Sequence, residues 1–369
     1  MDHSINRQFG QLISRLIAGE HLSAEESYQA FCMVVNNEVT EMQQGAFLAA
    51  LTGKGETAEE VAGGWKAIYE LDTAKVALNR DLGLVDNCGT GMDSFKTFNI
   101  STAASILAAA GGVRVARHGA RAISSVCGTV DMAEALGVDV ECDVSCVARS
   151  IEEAGLGLFN GMSPKVHPVA LGRILSQIHF GSPLNIAASL ANPALPRMGV
   201  RGVYAKELIM PVARVMQTIG YTDATVIYGT ITDSDQGMDE ASVCGPTYGA
   251  RLRGGEIHEF TLRPEACGLV SHAPDPLAAD PDREQAALRM VALLHGRDDA
   301  VRRDALLLNT ALLFELTGKT ASIEQGVALA EACLNQGKAI TTLSRWVRHQ
   351  NRDPEQGLAR LQGLIGQVQ

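Results

Sequence analysis

Positive charge is scarce in this chain: 31 Lys and Arg stand against 42 Asp and Glu, a net charge of -11 at pH 7. Such a surface repels a phosphate backbone, so nucleic acid is disfavoured as a partner. Long apolar runs are missing too: no stretch reaches the roughly 18 uncharged residues of a membrane span. The N-terminus MDHSINRQFG lacks the charged and apolar regions of a signal peptide. A cytoplasmic location is the expectation, with no membrane partner. The eight cysteines contain no CxxC and no regular spacing, which excludes a disulfide scaffold and leaves most of them as small buried hydrophobes. Cys142 and Cys146 share a helix face, but no histidine is near them in sequence and the segment is acidic, so a metal site there is disfavoured.

What remains is the composition of an ordinary packed globule, 46% hydrophobic and 20% charged. At 369 residues the chain exceeds what one core usually fills, so a small and a large domain are expected. From Ser4 to Glu70 apolar residues recur every three or four positions, which predicts a small all-α N-terminal domain over residues 1–75. Ser23 before Glu25 and Glu26, and Thr57 before Glu59 and Glu60, read as helix caps with acids in the first turn. After Leu71, short β-branched runs (LGLVDNC, VRVARHG, VDVECD, GLGLFN, RGVYA, ATVIYG) alternate with alanine-rich helical patterns. That alternation predicts a large α/β domain over 76–162 and 183–369, its mostly parallel central sheet flanked by helices. Around 163–182 a helical period without a strand suggests that the chain revisits the small domain, and the tail after Pro276 is helical.

In open α/β sheets, ligands collect where loops leave strand ends and enter helices. DNCGTGMDSFKTFNIST, Asp86 to Thr102, occupies such a place. Gly89 and Gly91 let backbone N–H groups approach an anion, and the helix beginning near Ser101 adds its positive end. A dinucleotide fingerprint would need glycine where Ser94 stands, and the Gly-Lys-Ser/Thr of a nucleotide loop is absent here. The remaining Asp93, Lys96, Asn99, Ser101 and Thr102 suit either a phosphorylated sugar with a metal on Asp93 or simply a capped turn. Two further clusters favour the ligand. VARHGARAISSVCGTVDMAEALG carries Arg117, His118, Gly119, Arg121, Ser124, Ser125, Gly128 and Thr129 between a strand and a helix, and GMDEAS places Asp239 and Glu240 after another strand. Glycine-rich and basic loops with an acid pair at strand ends are what a Mg²⁺-pyrophosphate site requires.

These motifs, in this order, resemble the anthranilate phosphoribosyltransferase family over nearly the whole chain. The resemblance rests on LSAEESYQAFCMVVNNEVTEMQQGAFLAALTGKGETAEEVAGGWKAI, DNCGTGMDSFKTFNIST, RHGAR, SSVCGTVDMAEALG, Asn192-Pro193-Ala194 and Asp239-Glu240. It implies a Mg²⁺-dependent homodimer that moves phosphoribose from phosphoribosyl pyrophosphate to a small aromatic amine, in tryptophan biosynthesis. By position, Gly89, Thr90, Gly91, Asp93, Asn99, Ser101, Thr102, Gly119 and Thr129 would hold the donor. Arg117 would contact it in place of a family lysine, and Met92 stands where the family has another glycine. Asp93, Ser101, Asp239 and Glu240 would serve the metal.

The acceptor half departs from the family. The resemblance places the pocket at His118, Ala120, Leu175, Ala188 and Ser189. Ala120 replaces a family asparagine, Leu175 falls where the family has an arginine with Arg173 as the nearest substitute, and Ala187-Ala188-Ser189 replaces leucine-glycine-proline. Losing that amide and that guanidinium would each cost a benzoate on the order of 1 to 3 kcal/mol. Departure of pyrophosphate calls for stabilised negative charge more than for a strong base, so His118 is expected to position, and His167 and His179 to be interfacial. The alternatives from the residues are a nucleoside phosphorylase and a non-enzymatic relative that binds nucleic acid.

Overall fold

The structure, a computed structural model, describes residues 3–79, 83–122 and 126–368. The helical opening folds as α1 (His3–Ile17), α2 (Ala24–Val35), α3 (Glu41–Lys54) and α4 (Ala58–Leu71). Ser23 and Thr57 cap α2 and α4 as reciprocal boxes with Glu26 and Glu60, each side chain meeting the other's backbone N–H. Phe31, Phe47, Leu51 and Ile68 from these helices form a sealed core.

The chain then alternates: β1 (Leu84–Cys88), α5 (Ile100–Ala110), β2 (Arg114–Gly119), α6 (Thr129–Ala135), α7 (Val144–Ala154), β3 (Leu156–Asn160), α8 (Leu171–Ile178), α9 (Pro183–Leu190), β4 (Met198–Gly202), α10 (Ile209–Thr218) and β5 (Asp223–Thr230). Next come β6 (Gly237–Met238), β7 (Thr247–Arg253) and β8 (Glu256–Leu262), then α11 (Arg283–Leu294), α12 (Ala300–Leu316), α13 (Ile323–Asn335), α14 (Lys338–His349) and α15 (Pro354–Val368). The sheet runs β3-β2-β1-β4-β5-β7-β8, parallel from β3 to β5 and antiparallel beyond, with β6 paired to β5. The α/β expectation therefore holds, as a mixed and mostly parallel sheet behind a four-helix N-terminal domain.

Pleating sends neighbouring side chains to opposite faces. Asn87 and Arg117 lie toward α5, while His118 lies toward α9. Ile174 of α8 and Leu184 of α9 join the core built by α2, α3 and α4.

Two strand expectations fail. VDVECD forms no strand: the Glu141 N–H turns back onto the Asp139 carboxylate at 3.0 Å and Val138 and Val140 are buried without pairing. RGVYA is shifted, since pairing with β1 and β5 begins at Met198 and ends at Gly202. The β7–β8 hairpin is not among the strands read from the sequence, although Gly254 and Gly255, both at positive φ, are a readable turn signal.

Candidate active site

The loops at the carboxyl ends of β1, β2 and β5 converge on one cavity, lined among others by Gly89, Gly91, Asp93, Asn99, Ser101, Thr129, Asp239 and Glu240. The spacing of the acids explains the glycines. A Cβ on Gly89 would lie 2.3 Å from Asp239 Oδ2, and one on Gly202 would lie 1.6 Å from the Asp239 carbonyl oxygen. Only residues without side chains let the 239–240 segment cross the strand ends. Gly91, at φ +69°, donates its N–H to Asp239 Oδ2 at 2.6 Å, and Thr90 Oγ1 donates to the same oxygen at 3.3 Å.

Asp93, Asp239 and Glu240 are all buried and bring carboxylate oxygens within 4.8 Å of one another. Burial, then the neighbouring Asp239, pushes Asp93 up to about 6. Burial, Asp239 and Asp93 hold Glu240 well above the usual carboxylate range. The nearby cation is Lys96, 3.1 Å from Asp93 Oδ1, and Thr97 Oγ1 donates to Glu240 Oε2 at 3.2 Å. Three acids pressed together out of water need protons or a cation, and an all-oxygen set suits Mg²⁺.

The helix side presents polar groups and the positive end of α5. Asn99 stands at the N-cap of α5 yet makes no side-chain cap bond; its amide donates to Cys127 O at 3.0 Å, and while the Ile100 and Thr102 N–H groups bond back to Phe98 O and Asn99 O, the Ser101 N–H is left toward the cavity. Arg117 lies buried beneath this helix start and is not among the residues that line the cavity. Its guanidinium donates to Asn87 O at 2.9 Å, Thr102 Oγ1 at 2.6 Å and Ser101 Oγ at 3.0 Å. Hydroxyls that accept from a guanidinium keep their own hydrogens free to donate. Gly119 backs onto Thr129: its Cβ would sit 3.0 Å from Thr129 Cγ2. Met92 is half exposed and does not line the cavity. Ser124 and Ser125 lie outside the described residues.

The sequence reading missed one wall. Phe98 N–H donates to Leu277 O and Ala279 N–H to Lys96 O, both at 2.9 Å, clamping the 277–280 segment against the loop. Asp280 lines the cavity, its carboxylate tied to Arg302 at 2.9 and 3.1 Å. No spacing in HAPDPLAADPDRE announces this contact.

On the opposite face, His118 Nδ1 lies 3.3 Å from Ser189 O, and Arg201 reaches the same oxygen at 3.2 Å. Leu175 packs half-buried and Ala188 is buried. Arg173 turns away: it donates to Gln44 Oε1 at 2.7 Å and Val34 O at 2.9 Å. Its guanidinium is thereby held against α2 and α3. Arg201, absent from the sequence-based site, is the guanidinium that the fold brings to Ser189.

Residues 10–71 match the helical bundle domain of a glycosyl transferase family and residues 81–340 its a/b domain. The anthranilate phosphoribosyltransferase of Parvibaculum lavamentivorans is 36% identical over 347 residues, 93% of this chain and 98% of its own. This chain belongs to the anthranilate phosphoribosyltransferase family. Among solved structures of the family, that of Thermus thermophilus superposes with a TM-score of 0.82 at 32% identity, covering 92% of this chain and 98% of that one. The Saccharomyces cerevisiae enzyme, solved in complex with PRPP and Mg, shares the fold with a TM-score of 0.81 at 22% identity, covering 93% and 98%. Membership accounts for the order of the site's motifs along the chain.

Proposed function

We propose that this member of the family transfers phosphoribose from phosphoribosyl pyrophosphate to an aromatic amine, with anthranilate as the family default and an acceptor pocket rebuilt at Ala120, Leu175, Ala188 and Ser189. The observation that carries the donor half is the meeting of Asp93, Asp239 and Glu240 beneath the Gly89–Gly91 loop. Asp93, Asp239 and Glu240 would hold Mg²⁺. When bound, that ion neutralises charge on the departing pyrophosphate.

The chain's own groups do the rest. Gly89 and Gly91 expose backbone to the pyrophosphate. Ser101, Thr102 and Thr129 offer hydroxyl hydrogens, and the Ser101 N–H at the start of α5 receives a phosphate. Arg117 acts one step back, orienting the Ser101 and Thr102 hydroxyls and supplying positive charge beneath them. Lys96 lies at the rim and balances Asp93. Departure of pyrophosphate leaves an electron-poor ribose carbon, which the acceptor nitrogen attacks from the His118 side. A homodimer, as the resemblance implies, belongs to the same proposal.

Calorimetric titration of phosphoribosyl pyrophosphate with Mg²⁺ tests it. Asp93→Asn and Glu240→Gln should each weaken binding about tenfold or more, since an ion contact is worth roughly 1.5 to 3 kcal/mol. Unchanged titrations in folded variants would remove the metal assignment.

A further inference from the structure

Cys142 and Cys146 meet at the start of α7. Asp143 is the N-cap, so Cys142 stands just before the helix and Cys146 lies in its first turn, where the positive end of the helix favours an anion. The two thiols are hydrogen-bonded side chain to side chain. Arg149, exposed and one turn further on, brings Nη2 to 3.4 Å from the Cys146 sulfur, and the Asn351 N–H donates to the same atom. As a thiol, Cys146 places its hydrogen on His349 O at 3.5 Å. As a thiolate it accepts from the Cys142 S–H, the Arg149 guanidinium and the Asn351 N–H, an arrangement that favours the anion.

The two sulfurs therefore differ in kind. The hydrogen bond from Cys142, opposed by burial and aided by Arg149, lowers Cys146, whereas that same bond and then burial hold Cys142 protonated. One is a nucleophile and the other a thiol already set against it. Cys146 keeps 9% of its surface open and Cys142 5%, which suits an oxidant as small as hydrogen peroxide. Cys32, Cys88 and Cys127 are more open, but Cys88 and Cys127 turn their S–H groups to the carbonyls of Gly89 and Gly128 at 3.3 and 3.8 Å. A metal suits the pair poorly. Among the described residues, the ligand side chains that converge in a group of three are the acids of the donor cavity, and the two cysteines gain no third ligand.

We propose that Cys142 and Cys146 form a modification site, a dithiol that hydrogen peroxide converts to an intramolecular disulfide. Neither cysteine lines the donor cavity, so this chemistry is independent of phosphoribosyl transfer. The Cys146 thiolate attacks one peroxide oxygen, the O–O bond breaks, and its electron pair leaves on the other oxygen, which takes a proton and departs as water. Sulfur is oxidised to a sulfenic acid and the peroxide is reduced. The Cys142 sulfur then attacks Cys146, the S–O bond breaks, and hydroxide leaves with the Cys142 proton as a second water. Two thiols and one peroxide thus give one disulfide and two waters. A disulfide sulfur carries no charge, so Arg149 and Asn351 lose their anion and the turn after α14 loses a tie to α7.

The test treats the reduced full chain with one molar equivalent of hydrogen peroxide, unfolds it in iodoacetamide and maps the peptides by mass spectrometry. Cys142 and Cys146 should be linked while Cys32, Cys88 and Cys127 are alkylated, and dithiothreitol should restore both thiols. Cys142→Ser should stop at a sulfenic acid on Cys146, captured by dimedone during unfolding, and Cys146→Ser should leave Cys142 reduced. Arg149→Gln should slow disulfide formation about fivefold by removing a charged partner of the sulfur. Its exposed position keeps the proposal testable where a serine variant does not fold. Oxidation of Cys32, Cys88 or Cys127 ahead of the pair, or a treated protein in which Cys142 and Cys146 both remain alkylatable, would overturn the assignment. An Arg149→Gln variant oxidised at the wild-type rate, or sulfenic acid on Cys142 in place of Cys146, would do the same.

Discussion

The backbone N–H of Gly91 donates to the Asp239 carboxylate at 2.6 Å across 148 residues of chain. One contact thus joins the glycine loop to the acid pair, and it exists only because Gly89, two positions earlier, has no side chain to block it. Replacing Gly89 with alanine should displace Asp239 while leaving the fold intact. A shift of about 1 Å at such a site costs on the order of 100-fold in kcat/KM. Steady-state kinetics with a thermal melt as control checks this, and a fully active alanine variant would contradict the geometry.

The acid cluster makes stability depend on pH with a definite sign. Asp93 ordinarily loses its proton near 3.8 but in the fold near 6, with burial the chief cause. The protonated form is favoured by folding, so the group's contribution is complete below the unfolded value and is lost as pH rises from about 4 to about 6, by roughly 3 kcal/mol. Glu240 adds in the same direction. Mg²⁺ needs the ionised forms and should raise the melting temperature at pH 7.5 by clearly more than at pH 5. Equal gains at the two pH values, read by differential scanning fluorimetry, would count against the site.

Arg117→Lys would restore the residue that the family resemblance leads one to expect. The structure predicts harm from it. The planar fork serves Asn87, Thr102 and Ser101 together, and a point ammonium on a shorter reach cannot. Urea denaturation should show a loss of about 2 to 4 kcal/mol, as for a buried charge stripped of partners. A variant within about 0.5 kcal/mol of wild type would mean that the helix start does not depend on this group.

On the acceptor side, Ala120→Asn with Leu175→Arg should raise kcat/KM for anthranilate by about tenfold or more, since each restored polar contact is worth roughly 1 to 3 kcal/mol. Arg173 gives no competing solution, being held by Gln44 and Val34. A wild type that already matches the double variant on anthranilate would show that the pocket was never impaired.

Much of this molecule was readable from local signals. The caps at Ser23 and Thr57, the alternation of strands with alanine-rich helices, and the acids and glycines of the donor loops all depend on near neighbours and spacing. VDVECD misled because β-branched residues report burial as much as pairing: Val138 and Val140 are buried, but an Asp139 turn ends any extended run.

Residue types and their order along the chain were enough to establish an α/β protein with a glycine-rich loop at a strand end, an acid pair and the family to which it belongs. Folding settled the directions in which those residues point. Pleating buried Arg117 under α5, brought Arg201 to Ser189, set His118 against His167 at 3.1 Å, and closed the cavity with a segment from residue 277 onward. Such contacts join positions many residues apart, and their bond partners are set by sheet register and helix packing, which no local pattern encodes.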